Sequence, residues 1–218
     1  MASAETRREL VATYRDLGER GLLPATSGNV SVRLPDGTVL ITPSGMDHTT
    51  VTPDDLAVVR LADGSATGRY APSSETPLHL AVYRARPGVG AVVHTHSRYA
   101  TALACLGWDL PPVHYLLTTL HPTGRVPLAP YAVYGSTALA DHVLAALGDA
   151  GGGCLMANHG ALTVGENLRT AAQRAVVLEE VAALYHTARQ VGEPRLLGPE
   201  QVAEAAARMA EYRPRRLD

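Results

Sequence analysis

A chain of 218 residues, 46% hydrophobic and 18% charged, is ordinary for a soluble globular protein and long enough for one substantial domain. Its formal net charge of −2 leaves no basic footprint, which argues against nucleic acid or an anionic membrane as the main partner. The sequence contains no lysine, and that excludes Schiff-base chemistry, pyridoxal phosphate attachment and a Walker-type phosphate loop.

Leu10, Val11, Tyr14 and Leu17 recur at helical spacing within residues 3–20, and Gly18 and Gly21 stop the helix they predict. The opening MASAETRREL is charged where a signal peptide is apolar, and no run approaches membrane-spanning length. Cys105 and Cys154 are too few and too unpatterned for a disulfide framework or zinc knuckle, so a reducing cytoplasm is expected. The stretch NVSVRL (29–34) alternates like a strand, Pro35 to Gly37 turns, and TVLIT (38–42) returns, which predicts a hairpin. A capped helical turn at 52–56 leads into a strand over 57–61 and a turn at 62–65.

A helix is predicted over 75–84, a buried strand over 89–96 and a helix over 98–106. The proline-rich stretch from Trp108 to Gly135 reads as loops, and Ser136 caps a helix reaching Leu147. The run GDAGGG (148–153) lacks the G-x-G-x-x-G form and precedes a strand, so it is a loop and not a dinucleotide site. Strands at 154–158 and 161–165 meet at His159-Gly160, followed by a long amphipathic helix over 167–191, for core and subunit packing, and a short one over 200–212. With no repeat or linker, residues 1–218 read as a single α/β domain with helices on both faces of a mixed sheet.

His94 and His96 end an apolar run, one residue apart. On a strand they share a face about 7 Å apart along the chain, and two imidazoles so placed can converge on one zinc ion. Taken alone, the pair fits an exposed or internally satisfied arrangement equally well. His159 sits at the end of another apolar strand, and Glu75 stands behind two serines at a helix start. Three histidines and a carboxylate make a catalytic type of zinc shell, because three protein ligands leave a coordination position open. Three loops, ATSGN (25–29), TPSGM (42–46) and PSSE (72–75), combine hydroxyls with glycine or a helix start. That is how phosphate is held without lysine.

The order T-S-G-N-V-S, T-P-S-G, P-S-S-E, H-T-H and N-H-G, spread from about Glu5 to the C-terminus, resembles the zinc-dependent class II aldolase family. That family includes L-fuculose-1-phosphate aldolases and L-ribulose-5-phosphate 4-epimerases. The resemblance implies a three-layer α/β/α fold and a cyclic homotetramer with active sites between subunits. It implies one Zn2+ per subunit on His94, His96 and His159, with Glu75 as the catalytic acid/base. Gly28, Asn29, Ser44, Gly45, Ser73 and Ser74 match the family's phosphate pocket. Tyr115 matches the tyrosine that protonates the leaving aldehyde oxygen, supplied by a neighbouring subunit, and Tyr212 a second active-site tyrosine.

The expected reaction is cleavage or formation of a carbon–carbon bond in a sugar phosphate, with dihydroxyacetone phosphate as one partner. Without lysine, the electron sink must be a metal. The epimerase branch uses an aspartate in the segment that here contains no acid between Asp109 and Asp141, so the aldolase reading is preferred. Dehydratase and decarboxylase branches share the zinc shell and stay open. A non-catalytic module like the adducin head domain lacks the shell that His94, His96, His159 and Glu75 would form. His48, His79, His114, His142 and His186 are given structural roles, His121 lies where family members handle substrate differently, and Arg125, Arg213, Arg215 and Arg216 read as solvated surface.

Overall fold

The computed structural model describes residues 2–212, so Arg213, Arg215 and Arg216 lie outside the described residues. Helix α1 (Ala4–Glu19) starts where the Ser3 hydroxyl accepts the Thr6 N–H, and it buries Leu10, Val11, Tyr14 and Leu17. Strands β1 (Asn29–Arg33) and β2 (Thr38–Ile41) form the expected hairpin. A 3-10 turn, Pro53–Asp55, leads into β3 (Ala57–Arg60); the Asp55 carboxylate accepts from the Thr52 N–H at 2.9 Å and hydroxyl at 2.6 Å. After the short β4 (Ala66–Thr67) come α2 (Thr76–Ala85), β5 (Ala91–Thr95) and α3 (Arg98–Cys105). A 3-10 helix, Tyr115–Thr119, and β6 (Leu128–Ala129) precede α4 (Thr137–Leu147), capped by Ser136 as the sequence predicts. β7 (Gly153–Met156), β8 (Gly160–Gly165), α5 (Leu168–Val191) and α6 (Pro199–Glu211) complete the described chain.

The strands form one sheet in the order β4-β3-β2-β1-β5-β8-β7-β6. Every pairing is antiparallel except β6 with β7, so a single pair makes the sheet mixed. One face carries Val39, Ile41, Val59, Val92, Leu162 and Val164 against α2 and α4. The other face carries Val30, Leu40, Ala91 and Val93 against α1 and the start of α5, and α3 packs with the middle of α5 on Leu155 and Ala161. Helix, sheet and helix layers result, as expected.

Two short elements, β6 and the 3-10 helix at Tyr115–Thr119, fall in the stretch read as loops, and β4 falls where no element is predicted. Two-residue strands are too brief for an alternation to register. Ala157 and Asn158 leave the predicted strand and, with His159, form a three-residue hairpin tip between β7 and β8, where Asn158 takes the left-handed φ of 53°.

Candidate active site and metal centre

β5 runs between β1 and β8, and its C-terminal end brings the polar residues together. His94 lies opposite Asn29 on β1 and Leu162 on β8. His96 follows just past the strand, its N–H bonded to the Leu22 carbonyl at 3.2 Å. His159 reaches the same point from the β7–β8 hairpin tip, and Glu75 from the N-cap of α2. Close backbone approach makes this convergence feasible. A Cβ on Gly160 would stand 2.3 Å from the Thr95 carbonyl oxygen, and one on Gly28 would stand 2.8 Å from that of His94. Gly28 also holds a φ of 76°, a region open to glycine.

The His94 Nε2 atom is 2.9 Å from both the His96 Nε2 and the Glu75 Oε2, and the His159 Nε2 is 3.3 Å from the Glu75 Oε1. All four candidate ligand atoms lie within 4.8 Å of one another. Ala161 O accepts the Nδ1–H of His94 at 2.9 Å, which leaves the His94 Nε2 as a lone pair in the neutral ring. That lone pair faces a carboxylate oxygen and another imidazole nitrogen. Glu75 Oε1 is buried without a hydrogen bond. Acceptors facing acceptors in a dry pocket need a cation among them, and this donor set fits a divalent metal.

The electrostatics agree. Burial pushes the Glu75 carboxyl up, but His94, His159 and the Asn29 amide outweigh it and hold Glu75 well below the usual carboxylate range. Burial, then His94 and His159, pull His96 down to about 3, and burial and His94 also lower His159. His94 is raised: burial opposes its charged form, but the Glu75 carboxylate prevails. The site therefore offers an ionised carboxylate and two neutral imidazoles, while Glu75 favours a proton on the His94 Nε2 that a metal ion would displace.

A cleft of 310 Å³ opens over this cluster. All six residues of the predicted phosphate pocket line it, namely Gly28, Asn29, Ser44, Gly45, Ser73 and Ser74, together with Glu75, His96 and His159. Backbone bonds tie the loops to one another: Ser73 N–H to Thr42 O at 3.1 Å, Ser44 N–H to Ala71 O at 3.0 Å, and Thr42 N–H to Val30 O at 3.1 Å. His94 lies beneath the cleft with no exposure.

Tyr115 and Tyr212 are not among the lining residues; they are 50% and 78% exposed. The Tyr115 ring instead stacks on His114 at 4.7 Å. His121 bonds Thr123 Oγ1 at 2.8 Å and does not line the cleft. Sequence reading missed Tyr131 and Tyr134, which line the cleft with Ala132. The only signal for them was a tyrosine pair inside a stretch read as loop. It also missed Glu179 on α5, whose carboxylate accepts the N–H groups of Tyr99 and Ala100, each at 2.9 Å at its shortest, and so caps α3 just after His96.

The family model described as class II aldolase and adducin N-terminal domain matches residues 8–186. The chain belongs to this family. Among its relatives, the 5-deoxy-D-ribulose 1-phosphate aldolase of Bacillus thuringiensis is 35% identical over 97% of this chain and 99% of its own length. The 5-methylthioribulose-1-phosphate/5-deoxyribulose-1-phosphate aldolase of Rhodospirillum rubrum is 36% identical over 94% of this chain and 91% of its own. A solved L-fuculose 1-phosphate aldolase superposes with a TM-score of 0.91 at 34% identity, covering 96% of this chain and 98% of that one. This class II aldolase is accordingly a lyase, and the expected fold and family are confirmed. No helix among its described residues is long and apolar enough to cross a membrane.

Proposed function

We propose that the protein is a zinc-dependent aldolase that cleaves a ketose 1-phosphate into dihydroxyacetone phosphate and a short, uncharged aldehyde, or runs the reverse addition. The observation that carries this reading is one cleft with a metal-type cluster at its base and a neutral, hydroxyl-rich cradle on its wall. Names of relatives acting on 5-deoxyribulose, 5-methylthioribulose and fuculose phosphates support it. No arginine lines the cleft among the described residues, so a second phosphate or a carboxylate on the aldehyde fragment has no counter-ion there. This favours the aldolase over a sugar-acid decarboxylase.

His94, His96 and His159 would hold the zinc, with Glu75 beside them. When bound, the ion supplies a Lewis acid for the carbanion left as the carbon–carbon bond breaks. The Glu75 carboxylate, kept ionised, takes the proton from the donor carbon in the addition direction and returns it to that carbon after cleavage. Amides and hydroxyls of Gly28, Asn29, Ser44, Gly45, Ser73 and Ser74 receive the phosphate. Tyr131 and Tyr134 offer the aldehyde tail an apolar wall.

Tyr115 would then exchange the proton of the aldehyde oxygen, with Tyr212 as a second tyrosine. Both stand outside the cleft of their own chain, so this assignment requires a neighbouring copy, in keeping with a cyclic homotetramer. The free cysteines Cys105 and Cys154 suit a reducing cytoplasm.

The test is exchange of a dihydroxyacetone phosphate proton with solvent, followed by NMR on zinc-loaded protein, beside a panel of ketose 1-phosphates with product identification. Glu75→Gln should lower exchange by at least about 100-fold while metal stays bound. Exchange at the wild-type rate in that variant rules out the role of Glu75. A panel that yields no aldehyde rules out the reaction.

A further inference from the structure

Beneath the cleft, two periodicities interlock. Glu75, His79 and Tyr83 recur every four residues along one face of α2, and Asn29 and Ser31 alternate onto one face of β1. The sheet presses these faces together and closes them from solvent: Ser31, His79 and Tyr83 have no exposure, Asn29 is 4% exposed and Glu75 5%. Four side-chain hydrogen bonds join the five residues. They are Asn29 Nδ2 to Glu75 Oε2 at 3.1 Å, His79 Nε2 to Asn29 Oδ1 at 2.5 Å, Ser31 Oγ to His79 Nδ1 at 2.7 Å and Ser31 Oγ to Tyr83 OH at 2.8 Å.

The chemistry of the groups fixes the direction of every bond. An ionised Glu75 only accepts, so Asn29 must donate its N–H and turn its carbonyl oxygen to His79. That oxygen only accepts, so the Nε2 of His79 carries the hydrogen. In a neutral ring Nδ1 is then a lone pair and takes the Ser31 hydroxyl hydrogen. With that hydrogen committed, the Ser31 oxygen receives the Tyr83 O–H. Burial, with His94 nearby, pulls His79 down to about 3 and keeps the ring neutral. Burial raises the Tyr83 phenol and keeps its hydrogen in place, with the Arg33 guanidinium 5.0 Å from the ring centre.

We propose that Tyr83, Ser31, His79 and Asn29 form a positioning relay for Glu75, with His79 as the link that anchors the Asn29 amide against the carboxylate. The role rests on the aldolase reading, in which Glu75 carries the proton. No proton moves along the chain; each hydrogen stays on its donor, and the relay acts by orientation alone. The carboxylate selects the N–H end of the amide, and the His79 N–H anchors the other end. Without that N–H the Asn29 oxygen is left buried and unpaired, and the amide is free to turn away from Glu75. An amide that turns away no longer holds the carboxylate against the donor carbon.

The experiment has two readouts on the zinc-loaded protein. First, 15N NMR of the imidazoles at neutral pH should find His79 with hydrogen on Nε2 and a bare Nδ1, and Ser31→Ala should keep the hydrogen on Nε2 while shifting the Nδ1 resonance as its hydrogen bond is lost. Second, dihydroxyacetone phosphate exchange should fall about 10–100-fold in His79→Leu with the metal content unchanged. His79→Gln, which keeps an N–H toward Asn29, should recover a large part of the loss, and Tyr83→Phe should cost about threefold as the far link. Hydrogen on Nδ1 in the wild type overturns the relay, as does wild-type exchange in both His79→Leu and Ser31→Ala. A loss of exchange that Gln fails to rescue assigns His79 to packing and equally overturns it. If His79→Leu does not fold, the spectrum and Ser31→Ala decide. If wild-type protein neither cleaves nor exchanges, the aldolase reading fails, and the His79 spectrum alone settles the hydrogen-bond chain.

Discussion

His79 shows how much a single buried ring can cost. Its pKa is held near 3 by burial and by His94, against about 6.5 in an unfolded chain. A histidine depressed in the folded state binds its proton in the unfolded state first, so stability is complete above about pH 6.5 and is lost as pH falls from there toward 3. Between pH 7 and pH 5 this one group should remove about 2 kcal/mol. Urea unfolding at the two pH values should show that drop in the wild type and a drop smaller by that amount in His79→Gln; identical slopes would refute the assignment. The depressed carboxyl of Glu75 adds a loss of the same sign at lower pH.

At this scale the sequence was legible where a polar residue interrupts an apolar run. His94, His96 and His159 all end such runs, and Glu75 stands at a helix start, so type and position together pointed to them. His79 was assigned a structural role because nothing near it in sequence hints at Asn29, 50 residues away. Glu179 was invisible for the same reason, with Tyr99 80 residues distant.

Among the elements, the β7–β8 hairpin matters most to the site. Its tip carries His159, and its first ladder residue after the tip, Gly160, lies so close to β5 that a methyl group would collide with the Thr95 carbonyl oxygen. Gly160→Ala should therefore push the hairpin off the end of β5 and draw His159 away from His94 and His96. We expect a variant that folds with a loss of about 1–3 kcal/mol and holds zinc at least about 10-fold more weakly in a chelator competition. Retention at wild-type affinity would show that the tip tolerates the shift. The long periodic elements, α1, α2, α5, β1 and β5, were readable because each sustains its pattern for a full turn or more. β4 and β6 were not, since two residues have no period; tertiary pairing alone makes them strands.

For the molecule as a whole, the residue assigned to the aldehyde oxygen, Tyr115, lies outside the cleft of its own chain. Tyr115, half exposed and stacked on His114, can fill that place only from another copy. Glu75→Gln and Tyr115→Phe chains should each cleave poorly alone. Mixed by unfolding and refolding together, they should regain up to about a quarter of the wild-type activity, since some sites then draw Glu75 and Tyr115 from two different chains. Mixtures no better than the average of the two parents would place Tyr115 outside the reaction. The fold was legible because five motifs in fixed order identify it. The expected homotetramer rests on the family resemblance alone, because a subunit contact leaves no period and no spacing in a single sequence.

The loops at Gly28, Ser44 and Ser73 present amides and hydroxyls to the cleft with no arginine among the described lining residues. On the proposed assignment, a doubly charged phosphate is gripped by dipoles, whose pull fades within a bond length or two, and not by fixed counter-charges that act over a Debye length. Such a grip is stringent about direction and weak at a distance. Long-range attraction on the way in would then come from the metal ion alone, and on the loop side dihydroxyacetone phosphate would meet little to hold it back on the way out. On that assignment, the composition that dispensed with lysine would shape the release of phosphate as well as the chemistry.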